Sequence, residues 1–111
     1  FNDKNLEAAS AYLHDDYVQH NPQVPDGKLG FSQGIGYLLA QNPNLKKEVK
    51  RAVAEEDLVA VHSWAQFDST NDADLGVAIV DIFRIQDGKI IEHWDVIAPV
   101  PAEQAHSNGV V

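Results

Sequence analysis

The segment "DIFRIQDGKIIEHWDVI", residues 81–97, decides the fold of this chain. It contains two apolar runs rich in β-branched and aromatic residues, separated by the turn-forming pair Asp87-Gly88, and it therefore predicts a β-hairpin. Three ionisable side chains, Asp81, His93 and Asp95, lie in the middle of these strands and away from the turn. Because a buried carboxylate is costly unless it is paired or used, this hairpin indicates a polar site within an apolar setting.

The length of the hairpin loop determines which of these side chains share a face. A two-residue loop would place Asp81 opposite Trp94 and turn Asp95 to the other side, since side chains alternate along a strand. A three-residue loop, residues 86–88, would pair Asp81 with His93 and gather both aspartates and His93 on one face. We expect the three-residue loop, because a glycine at its third position suits the left-handed conformation required there.

The remaining elements follow from the spacing of apolar residues. Residues 5–22 and 30–45 have apolar side chains three and four positions apart, which predicts two helices, the first with its stripe on Leu6, Ala9, Leu13 and Tyr17 and the second closed by Asn42-Pro43. From residue 46 the pattern alternates up to a polar turn at 55–57, and a second strand follows over 58–67. With the hairpin strands at 76–85 and 89–97, the order is two helices and then four antiparallel strands. This order predicts an α+β domain whose helices lie on the concave face of a curved sheet.

Composition narrows the class of protein. The 111 residues suit one domain, and no shift in composition marks a second one. The net charge of −9 argues against binding to nucleic acid or to an anionic membrane surface. There is no cysteine, which excludes disulfide and thiolate chemistry. No apolar run approaches the roughly 20 residues that span a membrane, and no signal peptide is visible, so we expect a cytoplasmic protein.

The ionisable residues allow more than one kind of site. Imidazole and carboxylate groups from His62, Asp81, His93 and Asp95 could ligate zinc or iron. They form no compact ligand motif, however, so we expect no metal. Ser63 lacks the sequence context of a nucleophilic serine, and no glycine-rich loop indicates a bound nucleotide. We therefore expect a site that works without a cofactor.

Three segments carry a resemblance to a known family. They are "YVQHNPQVPDGKLGF" at 17–31, "VAVHSWAQF" at 59–67 and "VDIFRIQDGKIIEHWDVI" at 80–97. Together they resemble the SnoaL-like branch of the nuclear-transport-factor-like superfamily over residues 17–101. The resemblance implies a cone-shaped, cystatin-like α+β barrel with a pocket between sheet and helices. It also implies that the single domain, residues 1–111, lacks a first helix that relatives carry before Phe1.

The resemblance assigns roles to individual positions. In SnoaL-like cyclases an aspartate on the last strand is the acid and base of an intramolecular aldol closure that needs no cofactor, and that position matches Asp95. These cyclases tend to have a histidine where this chain has Asp81. Relatives that hydrolyse epoxides use an arginine and an aspartate at the positions of His62 and Trp64, so epoxide hydrolysis is not expected here.

These considerations lead to a functional hypothesis with two alternatives, one of which is a dimer scaffold whose pocket is vestigial. Asp95 would remove a proton next to a carbonyl group, Asp81 and His93 would tune and orient it, and His62 or His20 would donate a hydrogen bond to the enolate oxygen. Aldol cyclisation or double-bond isomerisation would follow from that enolate. The substrate, a small apolar or carbonyl-containing molecule, would contact His20, Phe31, Trp64, Ile79, Phe83 and Ile97. Alternatively, the same pocket binds a small molecule without turnover.

The face of the sheet opposite the pocket is expected to form a homodimer. On this interpretation its exposed surface is too apolar to remain in contact with water. The residues predicted for it are Val59, Val61, Ala65, Phe67, Ile90, Trp94 and Val96.

Overall fold

The computed structural model describes residues 5–111; the first four residues of the predicted domain lie outside the described part. Two helices and five strands follow one another along the chain. They are α1 (Leu6–Ala11), β1 (Leu13–Gln19), α2 (Gly27–Gln41), β2 (Lys46–Glu55), β3 (Leu58–Gln66), β4 (Val77–Gln86) and β5 (Lys89–Pro99). No helix among the described residues is both long and apolar enough to cross a membrane.

The first predicted helix is wrong beyond residue 11, where the chain becomes strand β1. Asn5 caps α1 by accepting a hydrogen bond from the backbone N–H of Ala8 at 3.0 Å, and the helix ends after one and a half turns. Leu13 and Tyr17, which were placed on the helical stripe, are both buried in the strand. A spacing of four residues fits one face of a helix and equally one face of a strand, so these two positions could not distinguish them.

Helix α2 confirms the second predicted helix. Asp26 caps it by accepting from the backbone N–H of Gly27 at 2.8 Å. Gly30 in its first turn lies directly against Pro25: a Cβ at this position would come within 2.5 Å of the Pro25 carbonyl oxygen. Glycine therefore allows α2 to fold back tightly onto the loop that follows β1.

The sheet has the order β1-β5-β4-β3-β2, and it is mixed. Strand β1 runs parallel to β5, whereas the other three pairs are antiparallel, as predicted. Because β1 and β2 form the two edges, the sheet is open, and the fold is a curved α+β sheet of the cystatin type rather than a closed barrel. The predicted α+β class is confirmed, with one additional strand.

The hairpin between β4 and β5 has a two-residue turn, so the predicted three-residue loop is wrong. Asp87 and Gly88 have φ values of 55° and 74°, the pattern of the tight turn that matches strand twist, and Gln86 pairs with Lys89. A bulge at Ile91 then adds one residue to β5, because Ile85 pairs with Ile90 and the next pair is formed by residues 84 and 92. Beyond this bulge the alternation of β5 is reversed.

The bulge places both aspartates on one face, as the predicted three-residue loop would have done. Asp81 pairs directly with Asp95, and Phe83 pairs with His93. The predicted grouping of Asp81, His93 and Asp95 on one face is therefore correct, although the predicted partner of Asp81 was His93. The side chain of Ile90, predicted to lie on the outer face, points into the fold instead.

Strand β3 presents the opposite face to the one predicted. Val61 pairs with Asp81, so Val59, Val61 and Ala65 share the concave face with the aspartates. His62 and Trp64, one residue out of step, lie on the outer face. Between β3 and β4 the chain makes a ten-residue connection, 67–76, whose length leaves the relative alternation of the two strands undetermined by sequence.

Candidate active site

A cavity of about 570 Å³ lies between the concave face of the sheet and the two helices. Its size falls within the range of small-molecule sites. Most of its wall is apolar, and the polar groups collect on β1, β2, β4 and β5. The predicted binding residues Phe31, Ile79, Phe83 and Ile97 line it, together with Leu13, Ile35, Leu38, Leu45, Ala65, Phe67 and Val77. Tyr12 and Tyr37, both largely exposed, line it as well.

The three central side chains of the hairpin meet at the polar end of this cavity. His93 Nε2 lies 2.8 Å from Asp81 Oδ1 and 4.0 Å from Asp95 Oδ2. All three side chains are largely buried, with 7% of Asp81, 12% of His93 and 10% of Asp95 exposed. Two carboxylates this close in an apolar cavity require compensating positive charge or hydrogen-bond donors.

Lys47 supplies part of that compensation, although its sequence context did not predict a buried position. Its ammonium group lies 2.8 Å from Asp81 Oδ2, and only 17% of the side chain is exposed. Burial by itself would raise the pKa of Asp81, but the hydrogen bond from His93 and the charge and hydrogen bond of Lys47 outweigh it and lower that pKa. Asp81 is therefore an ionised carboxylate at neutral pH.

Gln19 fixes the protonation of the other side of the His93 ring. Its side-chain oxygen Oε1 accepts from the backbone N–H groups of His20 and Asn21, both at 3.1 Å, which identifies this atom as the amide oxygen. His93 Nδ1 lies 2.7 Å from the same oxygen and must carry a proton. Both ring nitrogens of His93 therefore face hydrogen-bond acceptors, Gln19 Oε1 on one side and Asp81 Oδ1 on the other.

Tyr17 and Asn21 complete the polar end. The amide nitrogen of Gln19 donates to the Tyr17 hydroxyl at 2.8 Å, which leaves the phenolic proton for a second partner. Burial, and after it the charges of Asp95 and Asp81, raise the pKa of Tyr17 far above its usual value, so the phenol stays protonated. Asn21 Nδ2 donates to Asp95 Oδ2 at 2.7 Å and holds that carboxylate in place.

The geometry agrees with comparisons to known proteins. The family model of SnoaL-like polyketide cyclases matches residues 1–105. The chain belongs to the SnoaL-like polyketide cyclase family. No match was found among curated proteins.

Several solved structures share the fold of this SnoaL-like protein. AclR from Streptomyces galilaeus is 25% identical, with a TM-score of 0.71 over 88% of this chain and 71% of AclR. A loop truncation variant of IdmH is 24% identical, with a TM-score of 0.71 over 86% and 82% of the two chains. A cystatin-fold protein from Novosphingobium aromaticivorans is 20% identical, with a TM-score of 0.74 over 86% of each chain.

Three predicted site residues of this SnoaL-like protein lie outside the cavity. His62 contacts Arg51 on the outer face, and the indole of Trp64 donates to the Leu75 carbonyl oxygen at 2.9 Å. His20 stacks on Trp94, also on the outer face. The predicted convergence of five residues is thus correct for Asp81, His93 and Asp95 and wrong for His20 and His62. His62 and Trp64 were misplaced because β3 pairs with β4 so that Val61, and not His62, lies beside Asp81. His20 was misplaced because the segment before it is a strand and not a helix.

The residues that take their places in the cavity lie on β1, on the segment just after β1, and on β2. Tyr17 and Gln19 alternate along β1, which was predicted as helix, and Asn21 follows them at the same spacing. Reading "YVQHN" as a strand with its odd-numbered residues inward would have found all three. Lys47 faces inward because it pairs with Ala65 on β3.

The only group of three metal-ligating side chains found among residues 5–111 is the same cluster. Ligand atoms of Asp81, His93 and Asp95 lie within 4.8 Å of one another. A divalent cation would have to replace the contact between His93 Nε2 and Asp81 and compete with the ammonium group of Lys47 for the same carboxylate. That no metal binds stoichiometrically stays a prediction, which elemental analysis of protein purified without added metal would check.

Replacing Asp81 by asparagine should remove a pH-dependent part of the stability. Because folding lowers the pKa of Asp81 below 3.8, its contribution is complete above the unfolded-state value and is lost as the pH falls through the lower folded-state value. We expect the difference in free energy of unfolding between wild type and Asp81→Asn to be constant above about pH 5 and to shrink below about pH 4. Urea unfolding from pH 3 to 7 measures it.

Asp72→Asn, in the exposed loop before β4, is the matched control and should show no such window. A difference for Asp81→Asn that stays constant down to pH 3 would show that folding does not lower the pKa of this group.

Proposed function

We propose that this SnoaL-like protein catalyses a cofactor-independent proton transfer on a neutral, largely apolar carbonyl compound, leading to aldol cyclisation or isomerisation. The observation that carries the proposal is the position of Asp95 next to Asp81, His93 and Lys47 at the polar end of an apolar cavity. An apolar wall that covers the body of a ligand, with convergent polar groups at one end, is typical of an enzyme or binding site for a small organic molecule.

Asp95 is the base in this proposal. Asn21 donates to Oδ2 and holds the carboxylate, whose side chain is only 10% exposed and lines the cavity. The carboxylate takes the proton from the carbon next to the substrate carbonyl, and the electrons of that C–H bond form the enolate. After carbon–carbon bond formation or migration of the double bond, Asp95 returns the proton to the product.

Tyr17 replaces the predicted histidines as the donor to the enolate oxygen. Its hydroxyl already accepts from Gln19, so its proton is available to a ligand in the cavity, and its high pKa prevents ionisation. The imidazole of His93, held between Gln19 and Asp81, lies beside Asp95 at the same end of the cavity. Donors that are already in place when the charge develops lower the barrier without reorganisation.

The test is exchange of the α-protons of apolar ketones and β-diketones for deuterium in D₂O, followed by NMR. Exchange accelerated by the wild-type protein and saturable in substrate would support the enzymatic proposal. Binding of the same compounds, seen as a shift in unfolding temperature, without accelerated exchange would instead select the alternative of a binding module. The apolar wall favours that alternative just as well, so the exchange measurement decides between them.

A homodimer through the outer face of the sheet is also part of the proposal, with a corrected set of residues. Trp94 and Val96 lie on this face as predicted, whereas Val59, Val61, Ala65, Phe67 and Ile90 belong to the concave side. Two sets of paired residues on neighbouring strands make the outer face apolar. One set consists of Val53, Ala60, Ile82 and Trp94, and the other of Val80 and Val96. Val96 is 71% exposed in the single chain, which favours a second copy as its cover.

We expect the wild-type protein to sediment as a dimer at micromolar concentration and Val96→Lys to sediment as a monomer, because a charge at the centre of the patch would be desolvated. Val110→Lys, in the exposed C-terminal tail, is the control and should leave the dimer intact. A monomeric wild type would contradict the proposal.

A further inference from the structure

Residues 19–21 interlock with residues 92–95 on both faces of the sheet. Gln19 and Asn21 point into the cavity, where they bond His93 and Asp95 respectively. His20 lies between them and points to the opposite face, while its backbone N–H donates to the His93 carbonyl oxygen at 3.0 Å. Gln19 and Asn21, which hold His93 and Asp95, are therefore the two sequence neighbours of His20, whose own side chain is fixed on the outer face.

The anchor of His20 is made of specific contacts. Its ring stacks on Trp94 with 4.9 Å between centroids and an angle of 1° between planes. Its Nε2 lies 2.8 Å from Glu92 Oε2, and the other oxygen of Glu92 accepts from Arg84 Nε at 3.2 Å. Arg84 in turn donates to Asp57 at the turn between β2 and β3. The hydrogen bond of His20, and to a smaller extent that of Arg84, lowers the pKa of Glu92, which keeps it an acceptor for both.

We propose that His20 is a positioning residue, which holds Gln19 on His93 and Asn21 on Asp95 by stacking on Trp94 and bonding Glu92 on the outer face. The local backbone shows why such an anchor is needed. β1 is an edge strand with an irregular register, its last pair with β5 is Gln19 with His93, and Asn21 lies beyond that end. Beyond the last paired residues of β1 and β5, the stacking of His20 on Trp94 fixes the directions of the Gln19 and Asn21 side chains.

The proposal rests on the proposed function only for its effect on turnover. A displacement of a positioned group by about 1 Å can cost on the order of 10²-fold in rate. We expect His20→Ala to slow α-proton exchange by about tenfold to 10²-fold, chiefly in kcat, because His20 does not touch the cavity.

A test that needs no substrate uses two NMR signals of the folded protein. One is the Nδ1 proton of His93, which bonds Gln19, and the other is the side-chain amide of Asn21, which bonds Asp95. In His20→Ala both signals should shift and exchange faster with water, whereas His20→Phe, which retains the stack, should keep them closer to wild type. His106→Ala, in the exposed tail, is the control and should leave both signals unchanged.

If both signals keep their wild-type positions in folded His20→Ala, the proposal is overturned, even if the variant is less stable. A residue with a merely structural role would lower stability without moving these signals. Should His20→Ala fail to fold, Glu92→Gln provides the second variant. It keeps the stack and weakens the bond to His20, so it should shift both signals in the same direction by a smaller amount. Unchanged signals in that variant would likewise overturn the proposal. Absent turnover with shifted signals would refute the proposed function alone.

Discussion

Asp95→Asn is expected to slow α-proton exchange by about 10²-fold or more while leaving the fold and ligand binding intact. The amide has nearly the shape of the carboxylate, and its oxygen can still accept from Asn21, but it cannot take up a proton from carbon. The measurement is the deuterium-exchange rate of the same ketones, combined with the unfolding temperature and its shift on ligand addition.

The control for this variant is Asp72→Asn, which makes the same chemical change in an exposed loop and should exchange at the wild-type rate. If Asp95→Asn also exchanges at the wild-type rate, Asp95 is not the base. If it fails to fold, the carboxylate has a structural role in holding Asn21, and the proposed mechanism loses its central group.

Lys47→Met is expected to destabilise the protein by roughly 3 kcal/mol, because it leaves the buried Asp81 with only part of its compensating charge. Methionine keeps most of the apolar stem, so the effect reports on the ammonium group and its 2.8 Å contact. Urea unfolding at pH 7 gives the free energy. Such a loss is a large part of the stability of a small domain, and the experiment is best done at low temperature.

Two further variants assign that loss to the ion pair. Lys50→Met removes a more exposed lysine of the same strand, paired with Glu48 at the surface, and should cost about 0.5 kcal/mol or less. The double variant Lys47→Met/Asp81→Asn should recover part of the stability, since neither charge remains. Equal stability of Lys47→Met and Lys50→Met would show that Asp81 does not depend on Lys47.

The sequence predicted the strands of the main sheet and the second helix because their patterns are unambiguous. Residues 46–55 alternate up to a polar turn, residues 58–66 form a largely apolar run after it, and the helical spacing of the second helix stops at Asn42-Pro43. The first helix was overextended because Leu13 and Tyr17 have a spacing common to both structures. Local pattern did not reveal the parallel pairing with β5, which is a contact between distant parts of the chain.

The candidate site was predictable where one hairpin supplies it and not where several strands meet. Asp81, His93 and Asp95 are close in sequence, and their polar character inside apolar strands was a visible anomaly. Lys47 gave no such signal, since a lysine in an alternating, charged strand is usually exposed. Which way β3 faces depends on pairing across a ten-residue loop, so His62 and Trp64 could not be placed from sequence.

The single extra residue at Ile91 means that the direction of Asp95, the proposed base, depends on the number of residues before it in β5 and not only on their types. Downstream of a two-residue turn, an uninterrupted strand would direct Asp95 into solvent and Trp94 into the cavity; the bulge exchanges them. Two chains with the same "HWD" motif can therefore differ in whether the acid reaches the ligand, if one lacks the inserted residue. A substitution changes a single side chain. The loss of one residue between the turn and His93 would instead reverse which side chains of β5 point into the cavity and which point to the outer face.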